Sequence, residues 1–160
     1  MMIHNEAKTE DVVSKQVTVI RRAQFAAAHY LRLPELNDAE NFSRFGASSN
    51  AQAHGHNYAV QVKVSGPVEP GTGMVVNLKD LKVILNETVV TPLDFKNLNT
   101  EIEFFQNRLT TLENLAIYLW NQIKPRLDAM SLNLMGLLVS ESDDLYVEYF
   151  GGKSFEEVNP

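Results

Sequence analysis

The chain has 160 residues, no cysteine and a formal net charge of −6, with 44% apolar and 21% charged residues. This balance suits a single soluble globular domain with a real core. It excludes disulfides, thiolate ligands and a thiol nucleophile, a nucleic-acid partner gripped through a basic cluster, and a membrane span of about 20 apolar residues.

Residues 1–16 read as a flexible N-terminal tail without the apolar core of a signal peptide, which fits a cytoplasmic protein and gives His4 no role. Val17 to Ala28 reads as a strand, and His29 closes its strand-like end, Gln24-Phe25-Ala26-Ala27-Ala28-His29-Tyr30. Residues 30–53 lack clean periodicity and are expected to form a long functional loop.

A second strand follows the run Ala53-His54-Gly55-His56-Asn57-Tyr58. Apolar Tyr58, Val60, Val62 and Val64 alternate with Ala59, Gln61, Lys63 and Ser65. The same parity carried backwards puts His54 and His56 on the buried face, because residues two apart in a strand point the same way. Most isolated histidines are surface or hydrogen-bonded core residues. Two buried side by side need partners, and a third from a neighbouring strand, His29, would complete the ligand set of a catalytic zinc site with an open fourth position. An all-histidine set suits zinc best and also accommodates other divalent ions.

Residues 66–73 are a dense turn signal. Asn77 then suits a helix N-cap, with Leu78, Leu81, Ile84, Leu85, Thr88 and Val89 on one face and Pro92 as the stop. A second loop spans 93–109. Thr110 and Glu113 have capping-box spacing, Leu112, Leu115, Ala116, Leu119, Trp120 and Ile123 form the next apolar stripe, and Pro125 is expected to end that helix. Leu132 to Glu141 and Leu145 to Phe150 form a hairpin about Ser142-Asp143-Asp144, and residues 152–160 read as a C-terminal tail. The order strand, strand, helix, helix, strand, strand predicts an α+β domain over 17–151, a four-stranded antiparallel sheet with two helices on one face. Its two open edges invite pairing with another copy.

Five segments, in this order and spacing, resemble the 6-pyruvoyl-tetrahydropterin synthase family, which includes the 6-carboxytetrahydropterin synthases. They are Gln24 to His29, His54 to Tyr58, Gly73 to Leu81, Pro92-Leu93-Asp94-Phe95-Lys96-Asn97-Leu98-Asn99, and Thr111-Leu112-Glu113-Asn114; Val139-Ser140-Glu141 is a weaker sixth. The resemblance implies a tunnel fold. Subunit sheets would join into a barrel, two trimers would stack into a homohexamer, and active sites would lie between subunits. It implies zinc on His29, His54 and His56, a substrate like 7,8-dihydroneopterin triphosphate, and a lyase reaction combining triphosphate elimination with internal redox rearrangement.

By the same resemblance Glu141 anchors the pterin ring through a bidentate carboxylate contact, and Thr111 and Glu113 touch the pterin. The plainer readings are a strand-end glutamate and helix capping, and a helix N-terminus can serve both roles. Asn77 reads as structural. Two positions depart from the family pattern. Ser48 stands six residues before His54, where the family has a general-base cysteine, and Phe95 follows Asp94, where the family has a proton-shuttling histidine. A serine hydroxyl needs an activating group to act as a base, and Asp94 can be a base if burial raises its pKa. The expected outcomes are the usual elimination with Asp94 taking up the proton work, a 6-carboxytetrahydropterin synthase or aldolase-like cleavage of the side chain, or pterin binding without turnover.

Overall fold

A computed structural model describes residues 16–154 and 157. The expected N-terminal tail, except Gln16, lies outside the described residues, as does most of the C-terminal one. Gln16 itself begins the first strand.

Two long strands carry the site. β1 (Gln16–His29) and β2 (His54–Pro67) pair antiparallel along their whole length, from Gln16↔Pro67 to His29↔His54. β3 (Lys96–Asn97) runs parallel to β1 at Ala27 and Ala28. β4 (Asn133–Ser140) pairs with the other edge of β2, and β5 (Tyr146–Tyr149) with β4, both antiparallel. The sheet therefore has five strands in the order β3-β1-β2-β4-β5, not the expected four. Two residues are too few for β3 to leave a periodic signal.

Helices cover one face of the sheet. α1 (Asp38–Phe45) lies inside the expected 30–53 loop. Its sign is the capping box of Asn37 and Glu40, whose side chains each bond the other's backbone N–H. No apolar stripe advertises it, because its buried residue is Asn41, whose amide bonds the backbone of Leu33, Leu36 and Asn37. α2 (Leu78–Leu85) is capped by Asn77, as the sequence predicts. Leu81, Ile84, Leu85, Thr88 and Val89 are buried, whereas Leu78 is exposed.

Neither proline acts as the expected stop. The chain stays helical from α2 through a π-turn (Asn86–Val90) into Thr91–Leu93, so Pro92 lies within the coil. The widened turn bonds Thr91 N–H to the Asn86 carbonyl, which accommodates a residue without a donor N–H just after it. Likewise α3 (Leu112–Asp128) contains Pro125. Its ring faces solvent, while Leu127 is fully buried and Lys124 pairs with Asp128 at 2.6 Å. Burial of Leu127 contributes about 1.5–3 kcal/mol and holds the last turn in place.

The core lies between sheet and helices. Tyr58, Val60, Val62, Val64, Leu137 and Val139 meet Leu81, Leu85, Leu115, Leu119, Ile123 and Leu127. The 93–109 stretch is also more structured than a loop, with β3, a helical turn at Leu98–Glu101 and a 3-10 turn at Glu103–Phe105. No helix among the described residues is long and apolar enough to cross a membrane.

Candidate metal centre

The β1–β2 register builds the centre. His29 ends β1 directly opposite His54, the first residue of β2, and His56 stands opposite Ala27, whose small side chain leaves its ring room. The three rings converge, with centroids 4.6 Å (His29–His54), 5.2 Å (His29–His56) and 4.9 Å (His54–His56) apart. One ring nitrogen from each lies within 4.8 Å of the others. His29 is 3% exposed; His54 and His56 are half-buried.

The surroundings fix the chemistry of the nitrogens. His29 Nδ1–H donates to the Thr110 carbonyl at 2.9 Å. A carbonyl only accepts, so the proton is on Nδ1 and the lone pair is on Nε2. His29 Nε2 and His56 Nε2 are buried without a hydrogen-bond partner. Burial lowers the His29 pKa to about 4, opposed by the Thr110 carbonyl and reinforced by the charges of His54 and His56. His54 is also held below its ordinary range, by burial and then by His56, with Glu141 opposing. Ring nitrogens gathered at one point are what a divalent cation requires, and the three histidines fit zinc. Three ligands leave a coordination position free.

Thr110 belongs to a clamp that sequence reasoning missed. Tyr30 N–H donates to Asn99 Oδ1 at 2.9 Å, and the Tyr30 carbonyl accepts from Asn99 Nδ2 at 3.0 Å and Thr110 Oγ1 at 2.9 Å. The clamp fixes the chain next to His29. A backbone carbonyl acting on a histidine has no sequence signature. Thr110 is also not the helix cap: Thr111 Oγ1 accepts the Asn114 N–H at 3.4 Å, and Glu113 makes no reciprocal bond.

The remaining candidates are spread more widely. Thr111, half-buried, adjoins the Thr110 carbonyl, and Glu113 is exposed in the first turn of α3. Glu141 follows β4, half-buried, and its charge bears on both His54 and Tyr58. Burial, then Glu141, pushes the Tyr58 hydroxyl pKa upward. Ser48 lies in a 3-10 turn (Gly46–Ser49) tied to the end of β1 by Leu31 N–H donating to its carbonyl at 2.7 Å. Its hydroxyl has no hydrogen-bond partner among the described residues.

Asp94 is outside the histidine cluster, bonded to the residue next to Ala27, the cross-strand partner of His56. Its Oδ1 accepts the Ala26 N–H at 2.8 Å, while Phe95 N–H donates to the Ala26 carbonyl at 2.6 Å. Ala26 is three residues from His29, about 10 Å along the strand. Phe95 has φ +59 and is 86% exposed.

Comparison with known proteins agrees with this geometry. The family model described as 6-pyruvoyl tetrahydropterin synthase matches residues 18–152. The human protein named 6-pyruvoyl tetrahydrobiopterin synthase is 41% identical over 136 residues, 85% of this chain and 92% of its own. The Drosophila melanogaster protein of the same name is 40% identical over 131 residues, 82% of this chain and 77% of its own. The solved structure of Caenorhabditis elegans 6-pyruvoyl tetrahydropterin synthase superposes with a TM-score of 0.79 at 36% identity, covering 86% of this chain and 97% of that one. With its histidine trio on the same scaffold, the chain belongs to the 6-pyruvoyl tetrahydropterin synthase family.

Proposed function

We propose that the protein is a zinc-dependent lyase of the 6-pyruvoyl-tetrahydropterin synthase type, acting on 7,8-dihydroneopterin triphosphate. The observation that carries the reading is the convergence of three imidazoles with two unpartnered inward nitrogens beside a half-buried carboxylate, Glu141. Bound to His29, His54 and His56, zinc supplies Lewis acidity toward the substrate's side-chain hydroxyls. Glu141 accepts hydrogen bonds from the pterin's exocyclic amine and adjacent ring N–H. Thr111 and Glu113, at the start of α3, border the same ligand, and the helix N-terminus contributes free N–H groups.

Proton transfer falls to Asp94, and to Ser48 where a group from a neighbouring subunit activates its hydroxyl. The carboxylate oxygen of Asp94 not bonded to Ala26 remains available as a base, and Ser48 is held near the strand end that carries His29. The open sheet edges support assembly with further copies into a barrel, as a homohexamer of two trimers, and the reading places the enzyme in the cytoplasm.

A second reading rests on Ser48 and Phe95. A hydroxyl without a hydrogen-bond partner among the described residues and a phenyl ring exposed where the family places its histidine favour a pterin-binding paralogue, or one that cleaves the side chain by a simpler route as the aldolase-like or 6-carboxytetrahydropterin enzymes do. Incubation of zinc-loaded protein with 7,8-dihydroneopterin triphosphate separates these. Release of inorganic triphosphate is expected. An aldehyde product without triphosphate would reassign the reaction, and tight pterin binding with no product would make the protein a binder.

A further inference from the structure

Among the described residues, three buried side-chain polar atoms have no hydrogen-bond partner, and all belong to one ring cluster: His29 Nε2, His56 Nε2 and Tyr58 Oη. The Tyr58 ring stands edge-on to His56 at 5.6 Å and to His29 at 6.1 Å. A cation accounts for the two nitrogens. It leaves the hydroxyl unexplained.

Packing does not need that oxygen. Tyr58 is 1% exposed and stacks on Phe25, its direct cross-strand partner, with centroids 5.1 Å apart and planes 16° from parallel. Phe25 makes the same contact without a hydroxyl. A buried polar atom left unpaired at a place where phenylalanine would fit calls for a partner outside the core. Its surroundings indicate which one. The β2–β4 ladder ends at Ala59↔Ser140, so Glu141 comes one step on, level with Tyr58, while His56 is two residues along the same face of β2. Tyr58 thus adjoins the histidine trio on one side and feels the Glu141 carboxylate, which also acts on His54.

We propose that Tyr58 Oη donates a hydrogen bond to the ligand held between the metal centre and Glu141, making Tyr58 a contact residue for that ligand. The inference rests on the reading of this site as a pterin site. A phenol O–H there finds an acceptor in a ring nitrogen, a ring carbonyl or a side-chain hydroxyl of such a molecule, and the three orphan atoms are then all satisfied by one metal–ligand complex.

The test is Tyr58→Phe in the full chain, with three measurements: dihydroneopterin affinity of the zinc-loaded protein by fluorescence titration, zinc affinity by chelator competition, and Tm without ligand. Dihydroneopterin binding is expected to weaken about tenfold, the loss of one hydrogen bond, with zinc affinity unchanged and Tm equal or higher. Unchanged dihydroneopterin affinity overturns the inference. So does a parallel fall in zinc affinity, which would make the hydroxyl part of the metal centre, or a fall in Tm, which would make it structural. Glu141→Gln serves as the control. If it abolishes binding while Tyr58→Phe leaves the affinity unchanged, the pterin reading stands and this inference alone fails; if the unmodified protein does not bind dihydroneopterin, both fall.

Discussion

His29 and His54 are direct partners across the β1–β2 ladder, with ring centroids 4.6 Å apart. Backbone pairing thus preforms two-thirds of the ligand set, and His56 adds the third from the same face of β2. Replacing either partner should remove a ligand without disturbing the sheet. His54→Ala is expected to weaken zinc binding at least about a hundredfold, judged against the 10–100-fold cost of mutating mere outer-shell partners. The rise in Tm that zinc gives the unmodified protein should vanish with it. Chelator competition and paired melting curves check this, and a variant that still gains Tm with zinc would refute the three-histidine centre.

Stability of the metal-free protein should fall with acid in a defined window. The His29 pKa is about 4 in the fold against an ordinary 6.5, chiefly because burial disfavours the charged ring. Between those values the unfolded chain binds a proton that the folded one does not. Stability therefore rises with pH through this range: it is complete above about pH 6.5 and is lost as pH falls toward about 4. Melting curves from pH 7.5 to 4 measure it. His29→Gln should flatten the dependence, and an equal slope in that variant would assign the effect elsewhere.

The Asn99 clamp should couple stability to metal affinity. Asn99→Ala leaves the Tyr30 N–H without its partner and removes one donor to the Tyr30 carbonyl. The expected loss is about 1–3 kcal/mol in urea denaturation. Because Tyr30 follows His29, and Thr110 holds both, zinc affinity should also fall, by about tenfold. A stability loss with unchanged zinc affinity would show that the clamp supports the chain but not the centre.

Gly151 offers a test of the fold. Its φ is +69, and a Cβ there would stand 2.2 Å from Trp120 Cζ2. Gly151→Ala combines left-handed strain with a clash against a ring packed on Tyr149 at 5.4 Å, for an expected cost of about 2–4 kcal/mol. Trp120 is the chain's single tryptophan, so its fluorescence should shift in the folded variant. An unchanged spectrum and midpoint would contradict this packing.

The legible parts of the molecule are those with a period. Tyr58, Val60, Val62 and Val64 announce a strand face, and the same parity extended to His54 and His56 points to the metal centre. What stays hidden has no period or runs through the backbone. β3 spans two residues, α1 buries an asparagine, and the Thr110 carbonyl acts on His29 from 81 residues away. Pro92 and Pro125 mislead because local chain stiffness is overruled, by a widened turn in one case and by burial of Leu127 in the other. Asp94 shows the same limit at the site. Its acid character is legible, but its bond to Ala26, which ties it to the sheet edge, is not.

Phe95 and Ser48 bear on whether the protein turns its substrate over. Phe95 holds φ +59 with its ring 86% exposed. Phenylalanine is poorly suited to that backbone region, whereas histidine is enriched there, so Phe95→His should be tolerated within about 0.5 kcal/mol. It would place a titratable ring beside Asp94. Ser48→Cys would put a thiol, far more acidic than the hydroxyl, next to the end of β1. If the centre is otherwise complete, the double variant should raise triphosphate release by about 10²-fold or more, the usual contribution of one general acid–base group. Parallel pH–rate profiles provide the decisive readout: the variant should acquire a limb near the ordinary histidine pKa of about 6.5 that the unmodified protein lacks. A variant that binds pterin as before but is no faster, with no new limb, would place the proton path away from both positions and leave Asp94 as the base to pursue.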